Sequence, residues 1–290
     1  MNRIPDAELI LNSDGSIYHL KVKPEQVAPN IILVGDPGRV ELVSSFFDTI
    51  DARSQNREIK THTGRYKGKP VTVLSTGMGT DNIDIIMNEL DALVNMDFST
   101  RRVRENHTSL NIIRIGTSGA LQPEVPVNSF IHSDYAIGLD GILYFYDGCN
   151  KILDKEMTDE FLHQTEWPAA LPKPYAVRSD PFLEFEDKQF IRGITATAPG
   201  FYGPQGRSLR AGTADPEQNR RISRFSFRGL KVLNYEMESS ALFGLGSILG
   251  HKTMTVCLAI ANRATGEFSH DHDLAMKRLI TIVLDRISGI

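Results

Sequence analysis

The feature that most constrains this chain is a repeated three-part pattern: a short apolar run, a glycine-bearing turn, then a segment with helical spacing. Ile31-Ile32-Leu33-Val34 is an unbroken apolar run that stops at Gly35, the pattern of a strand covered on both faces. Val71 to Leu74 is a second run, ending in Ser75-Thr76-Gly77-Met78-Gly79, after which Ile83, Ile86, Leu90, Leu93 and Val94 fall on one helical face. Ile112 to Ile115 is a third, stopping at Gly116. Ile131 to Leu139, Gly193 to Ala198 and Met254 to Ile260 read as further strands. Ala241, Leu242, Leu245, Ile248 and Leu249 mark a helix, and Leu274 to Ile287 a closing one. Such alternation predicts an α/β fold with a mostly parallel sheet covered on both faces. Ligands of such sheets bind at the carboxyl ends of the strands, so the glycine turns are where chemistry is expected.

Two stretches break the pattern. Leu139 to Asp180 holds Trp167, Pro168, Pro172 and Pro174 and reads as an insertion or long loop. Thr100 to Thr108, with three arginines, reads as a surface excursion.

A chain of 290 residues, 41% hydrophobic and 23% charged, suits one globular domain spanning 1–290. Its net charge of −4 offers no general attraction to nucleic acid or to an anionic membrane. A bound anion must therefore be held by local arginines. Cys149 and Cys257 stand far apart, in no metal-ligand spacing, as reduced thiols of a cytoplasmic protein would. The first residues lack the apolar run of a signal peptide, and no stretch approaches the ~18 apolar residues of a membrane span.

Four motifs carry chemistry. In Gly35-Asp36-Pro37-Gly38-Arg39, Asp36 suits a helix cap and Pro37 its first turn. Free N–H groups there favour an anion, and Arg39 adds a forked donor. An ordinary strand-to-helix turn with a surface arginine fits equally well. Arg114-Ile115-Gly116-Thr117-Ser118-Gly119 puts an arginine inside a buried run, which is costly unless it meets an anion or an acid. Here an anion site competes with a structural salt bridge. Glu236 and Glu238, in Asn234-Tyr235-Glu236-Met237-Glu238-Ser239, are either acids at a helix start or carboxylates that grip sugar hydroxyls. Phe201-Tyr202-Gly203-Pro204-Gln205-Gly206-Arg207 joins an aromatic face, an amide and a guanidinium. It suits a flat heterocycle with an N–H beside carbonyls, or else is a flexible loop.

From about His19 to Arg263, the motifs GDPGR, STGMG, IRIGTSGALQP and NYEMESSALF occur in the order of the nucleoside phosphorylase family. The chain resembles that family, which contains uridine phosphorylases and bacterial-type purine nucleoside phosphorylases. The resemblance implies a three-layer α/β/α sandwich around a mixed, mostly parallel sheet, with insertions near 97–111 and 139–180. It implies phosphate binding by Gly35, Arg39, Arg114 and Thr117, with Arg57 reaching the phosphate of a neighbouring subunit. His19 would reach the neighbour's ribose, and Glu236, Met237 and Glu238 the ribose of their own subunit. Ser118, Gly119, Phe201, Gln205, Arg207 and Arg263 would surround the base.

The Gln205 and Arg207 pair is typical of the uridine-cleaving branch, whereas purine-type relatives place an aspartate near Asn262-Arg263-Ala264-Thr265. The implied reaction is phosphorolysis of uridine, or deoxyuridine, to uracil and the sugar 1-phosphate. Inorganic phosphate would be the co-substrate and no cofactor is needed. A homodimer would be the minimal active unit, with a hexamer as the larger assembly. No metal is expected, although Glu58 matches a residue that binds a monovalent cation in some relatives. A purine nucleoside phosphorylase, a hydrolase of the same fold, and a nucleoside-binding protein without turnover are the alternatives.

Overall fold

The structure, a computed structural model, describes residues 3–290. In chain order the first strands are β1 (Asn30–Val34), β2 (Thr49–Asn56), β3 (Ile59–Tyr66), β4 (Lys69–Ser75), β5 (Met96–Asp97), β6 (Arg102–Val103) and β7 (Asn111–Ala120). The others are β8 (Phe130–Gly138), β9 (Tyr175–Arg178), β10 (Phe190–Thr197), β11 (Ser226–Phe227), β12 (Leu230–Glu236), β13 (Lys252–Asn262) and β14 (Glu267–Phe268). The helices are α1 (Pro37–Ser44), α2 (Thr80–Asn95), α3 (Cys149–Ile152), α4 (Lys155–Thr165), α5 (Gln218–Arg224), α6 (Ser239–Leu249) and α7 (Asp273–Ser288).

β1 shows why an unbroken apolar run makes a central strand. Ile31 and Leu33 enter one core with Ile83 and Leu90 of α2 and Leu242 of α6. Ile32 and Val34, on the opposite face, enter another with Val40 of α1 and Met276 and Ile280 of α7. All four strand residues are fully buried, each contributing about 1.5–3 kcal/mol of transfer free energy. Helices therefore lie on both faces, as three layers require.

The main sheet runs β11-β12-β10-β8-β13-β7-β1-β4-β3-β2. β4, β1, β7 and β13 are successive parallel neighbours. β2, β3 and β4 form an antiparallel flank, and β8 meets β13 antiparallel. The sheet is mixed, with its parallel part at the centre. β12 pairs with β10 on one side and with β7 on the other, through Asn234 opposite Ala120 and Tyr235 opposite Gly119. Five strands, β7, β13, β8, β10 and β12, thus close into a ring. This pairing carries β7 past Gly116, where the apolar run stops, to Ala120.

The 139–180 stretch is not a long loop. It contains α3, α4 and β9, the last antiparallel to β8. Asp154 caps α4 by accepting from the Met157 N–H at 2.9 Å, and Met157 and Phe161 pack with Ile137 and Ile194. The 97–111 stretch forms the β5–β6 hairpin and a following loop. It is tied down where Ile4 N–H donates to the Arg101 carbonyl at 2.8 Å and where His107 Nε2 meets the Leu249 carbonyl at 2.9 Å.

Candidate active site

The carboxyl ends of β1, β4, β7 and β12 surround a cavity of about 640 Å³. At the end of β1, Asp36 Oδ1 accepts from the Gly38 N–H at 3.1 Å and starts α1 with Pro37 in its first turn. This cap fixes where Arg39 emerges. The Arg39 guanidinium lies below its ordinary arginine value, because of burial first and then repulsion from Arg114. Both arginines line the cavity. Two guanidiniums brought together in a partly dry site favour an anion between them.

Arg114 answers the question raised by its buried position: it is paired, and to two acids. Its Nη1 lies 3.3 Å from Glu236 Oε2, and its Nη2 donates to Glu238 Oε2. Burial works against the charge on Arg114, but the Glu238 and Glu236 carboxylates outweigh it and raise the pKa. The salt bridge and the cavity-lining position therefore coexist. The buried Arg114 Nε and Ser118 Oγ have no hydrogen-bond partner among the described residues.

Glu236 and Glu238 differ in what they touch. Glu236 accepts from Thr197 Oγ1 at 2.6 Å and from the backbone N–H groups of Glu238 and Ser239 at 2.9 Å each. It thereby caps the start of α6, as acids at a helix N-terminus do, and orients Arg114. Glu238 reaches across to the Gly79 N–H at 2.8 Å. Burial pushes the Glu238 carboxyl up, against the pull of Arg114. The turn that delivers Gly79 needs glycine twice. Gly77 and Gly79 have φ of 72° and 103°, and a Cβ on Gly77 would come 2.4 Å from Asn82 Nδ2.

At the other end, the Arg207 guanidinium carbon sits 3.9 Å from the centre of the Phe201 ring, a cation–π contact. Arg207 Nη1 donates to the Phe201 carbonyl at 2.7 Å and also to Gln205 Oε1. Because a guanidinium only donates, this fixes the Gln205 oxygen toward Arg207 and its NH2 group away. The Gln205 oxygen, the one acceptor this amide offers, is thus already engaged by Arg207. Arg263 does not line the cavity, but it donates to the Gln205 and Gly206 carbonyls and so braces the loop. Burial first, and Arg263 second, draw Arg207 down to about 10.

The cavity unites Gly35, Arg39, Arg114, Thr117, Ser118, Gly119, Phe201, Gln205, Arg207, Glu236, Met237 and Glu238, with Glu58 at its rim. His19 and Arg57 are absent from its lining. His19 Nδ1 is 2.6 Å from Glu89 Oε1. Arg57 stands at the tip of the β2–β3 hairpin with a left-handed φ of 53°. The two are close to each other, since Asn56 Nδ2 donates to the His19 carbonyl at 2.9 Å. Sequence reasoning assigned no role to Met78, Tyr235, Ile260 or Phe268, all of which line the cavity. Met78 and Tyr235 lay inside recognised motifs. Phe268 had no signal, because only the short β13–β14 pairing brings it there.

An α/β sheet with glycine turns at its carboxyl ends, opening on paired arginines and acids, defines a class that binds a small anion beside a polar organic group. The phosphorylase superfamily model matches residues 29–287, and the chain belongs to that superfamily. It is 31% identical to a uridine phosphorylase of Thermococcus kodakarensis, over 92% of this chain and 85% of that one. A DeoD-type purine nucleoside phosphorylase of Clostridium perfringens is 26% identical, over 92% of this chain and 97% of that one. Among solved structures, a Trypanosoma brucei nucleoside phosphorylase that shows uridine phosphorylase activity superposes with a TM-score of 0.87. It is 32% identical, over 97% of this chain and all of that one. The family and fold expected from the four motifs hold.

Proposed function

We propose that this chain, acting as one domain, is a uridine phosphorylase, a pentosyltransferase that cleaves uridine with inorganic phosphate, with deoxyuridine as the next substrate to test. The observation that carries this reading is one cavity with the Arg39–Arg114 pair at one end and the Gln205–Arg207 loop at the other. Phosphate between Arg39, Arg114, Thr117 and the Gly35 turn would attack C1′ of the ribose. The C1′–N1 bond breaks, its electron pair goes to uracil, and the sugar leaves as its 1-phosphate. Phosphate charge stabilises the positive sugar, and Arg207 and the Gln205 amide stabilise the negative base. Glu238, with Met237, holds the ribose hydroxyls, and Glu236 holds Arg114 and the α6 start in place. No covalent enzyme intermediate and no cofactor enter the scheme. His19 and Arg57, linked through Asn56 and both absent from the lining of their own cavity, support a homodimer in which each serves the neighbour's site, alone or within a hexamer. The reaction belongs to cytoplasmic nucleoside salvage.

The purine alternative shares the phosphate and ribose ends and differs at the base. Asn262 donates to the Gln122 and Val125 carbonyls at 2.9 and 2.8 Å, so the residue near the purine-type aspartate position serves the backbone. The test is to incubate the protein with uridine or inosine, with and without phosphate, and measure free base and sugar 1-phosphate. Uracil release only with phosphate supports the reading. Faster cleavage of inosine overturns the choice of base, and equal rates without phosphate overturn phosphorolysis.

A further inference from the structure

A second cleft, of about 560 Å³, lies between α1 and the β2–β3 hairpin. None of its lining residues belongs to the cavity described above. The antiparallel register sets Arg53 directly opposite His62 and Gln55 opposite Lys60. Since alternate residues of a strand share a face, Arg53, Lys60 and His62 converge on the cleft. Of the two permanent cations on this face, Lys60 is neutralised by Glu41 while Arg53 has no acid paired with it among the described residues, so the cleft keeps an excess positive charge that suits an anion. Among the described residues one acid lines the cleft, Glu41, and it is paired with Lys60 Nζ. Arg53 is exposed and has no side-chain hydrogen bond or ion pair among the described residues. His62 is buried, and its Nδ1 is held 2.8 Å from Ser44 Oγ. Burial first, then the Arg53 and Lys60 charges, keep the imidazole below its ordinary value.

We propose that this cleft binds a small phosphomonoester that also carries hydroxyl groups. Arg53 and Lys60 would meet the phosphate. Gln55, which also lines the cleft, would meet the hydroxyls. The volume exceeds that of bare phosphate, which is why the ligand is taken to have an organic part. The proposal is independent of which base the main cavity takes.

The test uses Arg39→Ala protein, in which the main cavity is weakened, and follows the His62 ring proton resonances by NMR, assigned by their loss in His62→Gln. Ribose 5-phosphate is titrated, with inorganic phosphate, glucose and sodium chloride as comparisons. The expected result is a saturable shift with ribose 5-phosphate, a weaker one with phosphate and none with glucose. Adding Arg53→Ala, an exposed position, should weaken ribose 5-phosphate binding about tenfold by removing one charge-assisted donor while circular dichroism stays unchanged. An equal response to chloride at matched ionic strength, no saturation, or unchanged affinity in the Arg53→Ala background overturns the proposal.

Discussion

The Thr197 hydroxyl donates to Glu236 Oε1 at 2.6 Å, tying the end of β10 to the end of β12. The same hydroxyl accepts from the Ser240 N–H at 3.0 Å. Thr197 is therefore a positioning residue, which sets the carboxylate that orients Arg114. Thr197→Val keeps the shape and removes both bonds. It is expected to cost about 1–3 kcal/mol in stability, since buried partners are left unsatisfied, and to lower kcat for uridine more than it raises KM. Urea unfolding and steady-state kinetics check this. Unchanged kcat with lowered stability would reduce Thr197 to a purely structural role.

Arg39 has a burial cost and makes no salt bridge among the described residues, so its loss should weaken phosphate and little else. Arg39→Ala is expected to raise KM for phosphate about 10- to 100-fold, the equivalent of a charge-assisted hydrogen bond of ~1.5–3 kcal/mol. KM for uridine should stay within a few-fold of its starting value. A larger effect on uridine than on phosphate would remove Arg39 from the phosphate end.

The Arg207–Gln205 bond bears on selectivity. Arg207 offers only donors, so the amino group of cytidine would face donor against donor. Uridine should be preferred over cytidine by up to roughly 10⁴–10⁵-fold, as in sites built from buried polar groups. Arg207→Ala frees Gln205 Oε1 and should shrink that ratio while leaving KM for phosphate nearly unchanged. Equal loss for both nucleosides would mean that Arg207 supports the loop and does not read the base.

The pH profile should carry the mark of Glu238. Burial raises its pKa, so the charged form that pairs with Arg114 is present above a value higher than the ordinary glutamate range of about 4.3 and is lost as pH falls through it. The acid limb of kcat/KM should accordingly begin above that range and be absent in Glu238→Gln, once the titration of phosphate common to both proteins is subtracted. A limb unchanged in the variant would assign it to another group.

Assembly is tested by complementation. Arg57→Ala and Arg207→Ala should each be nearly inactive, while a mixed dimer holds one doubly altered site and one intact site. Recovery of activity on co-refolding supports exchange of Arg57 between subunits. No recovery despite verified mixed assembly would return Arg57 to its own chain.

Most of the parallel centre was legible because Ile31–Val34, Val71–Leu74 and Ile112–Ile115 are buried on both faces and advertise it as apolar runs, unbroken in the first and interrupted only by Thr72 and Arg114 in the others. The antiparallel flank was not. Thr49–Asn56 is exposed or half-buried throughout, and such a strand has no apolar signature to read. α4 did carry a usable sign, the Asp154 cap, which the surrounding prolines and Trp167 obscured. Most cavity residues were legible where a charged or glycine-rich motif sat at a strand end. Phe268 arrives through the β13–β14 pairing, and no local pattern announces that.

The closed ring of strands has a consequence for how firmness is distributed. Tyr235 sits on a strand bonded to a neighbour on each side, so its backbone can open only when much of the domain opens with it. Its amide should be among the slowest to exchange with deuterium. The Glu236–Glu238 segment leaves this strand directly. Arg57, by contrast, rides at the tip of the β2–β3 hairpin, beyond its last strand pairing, and amides there should exchange quickly. The molecule thus holds the sugar-facing acids on its least yielding backbone and carries the reaching side chain of Arg57 on the most yielding.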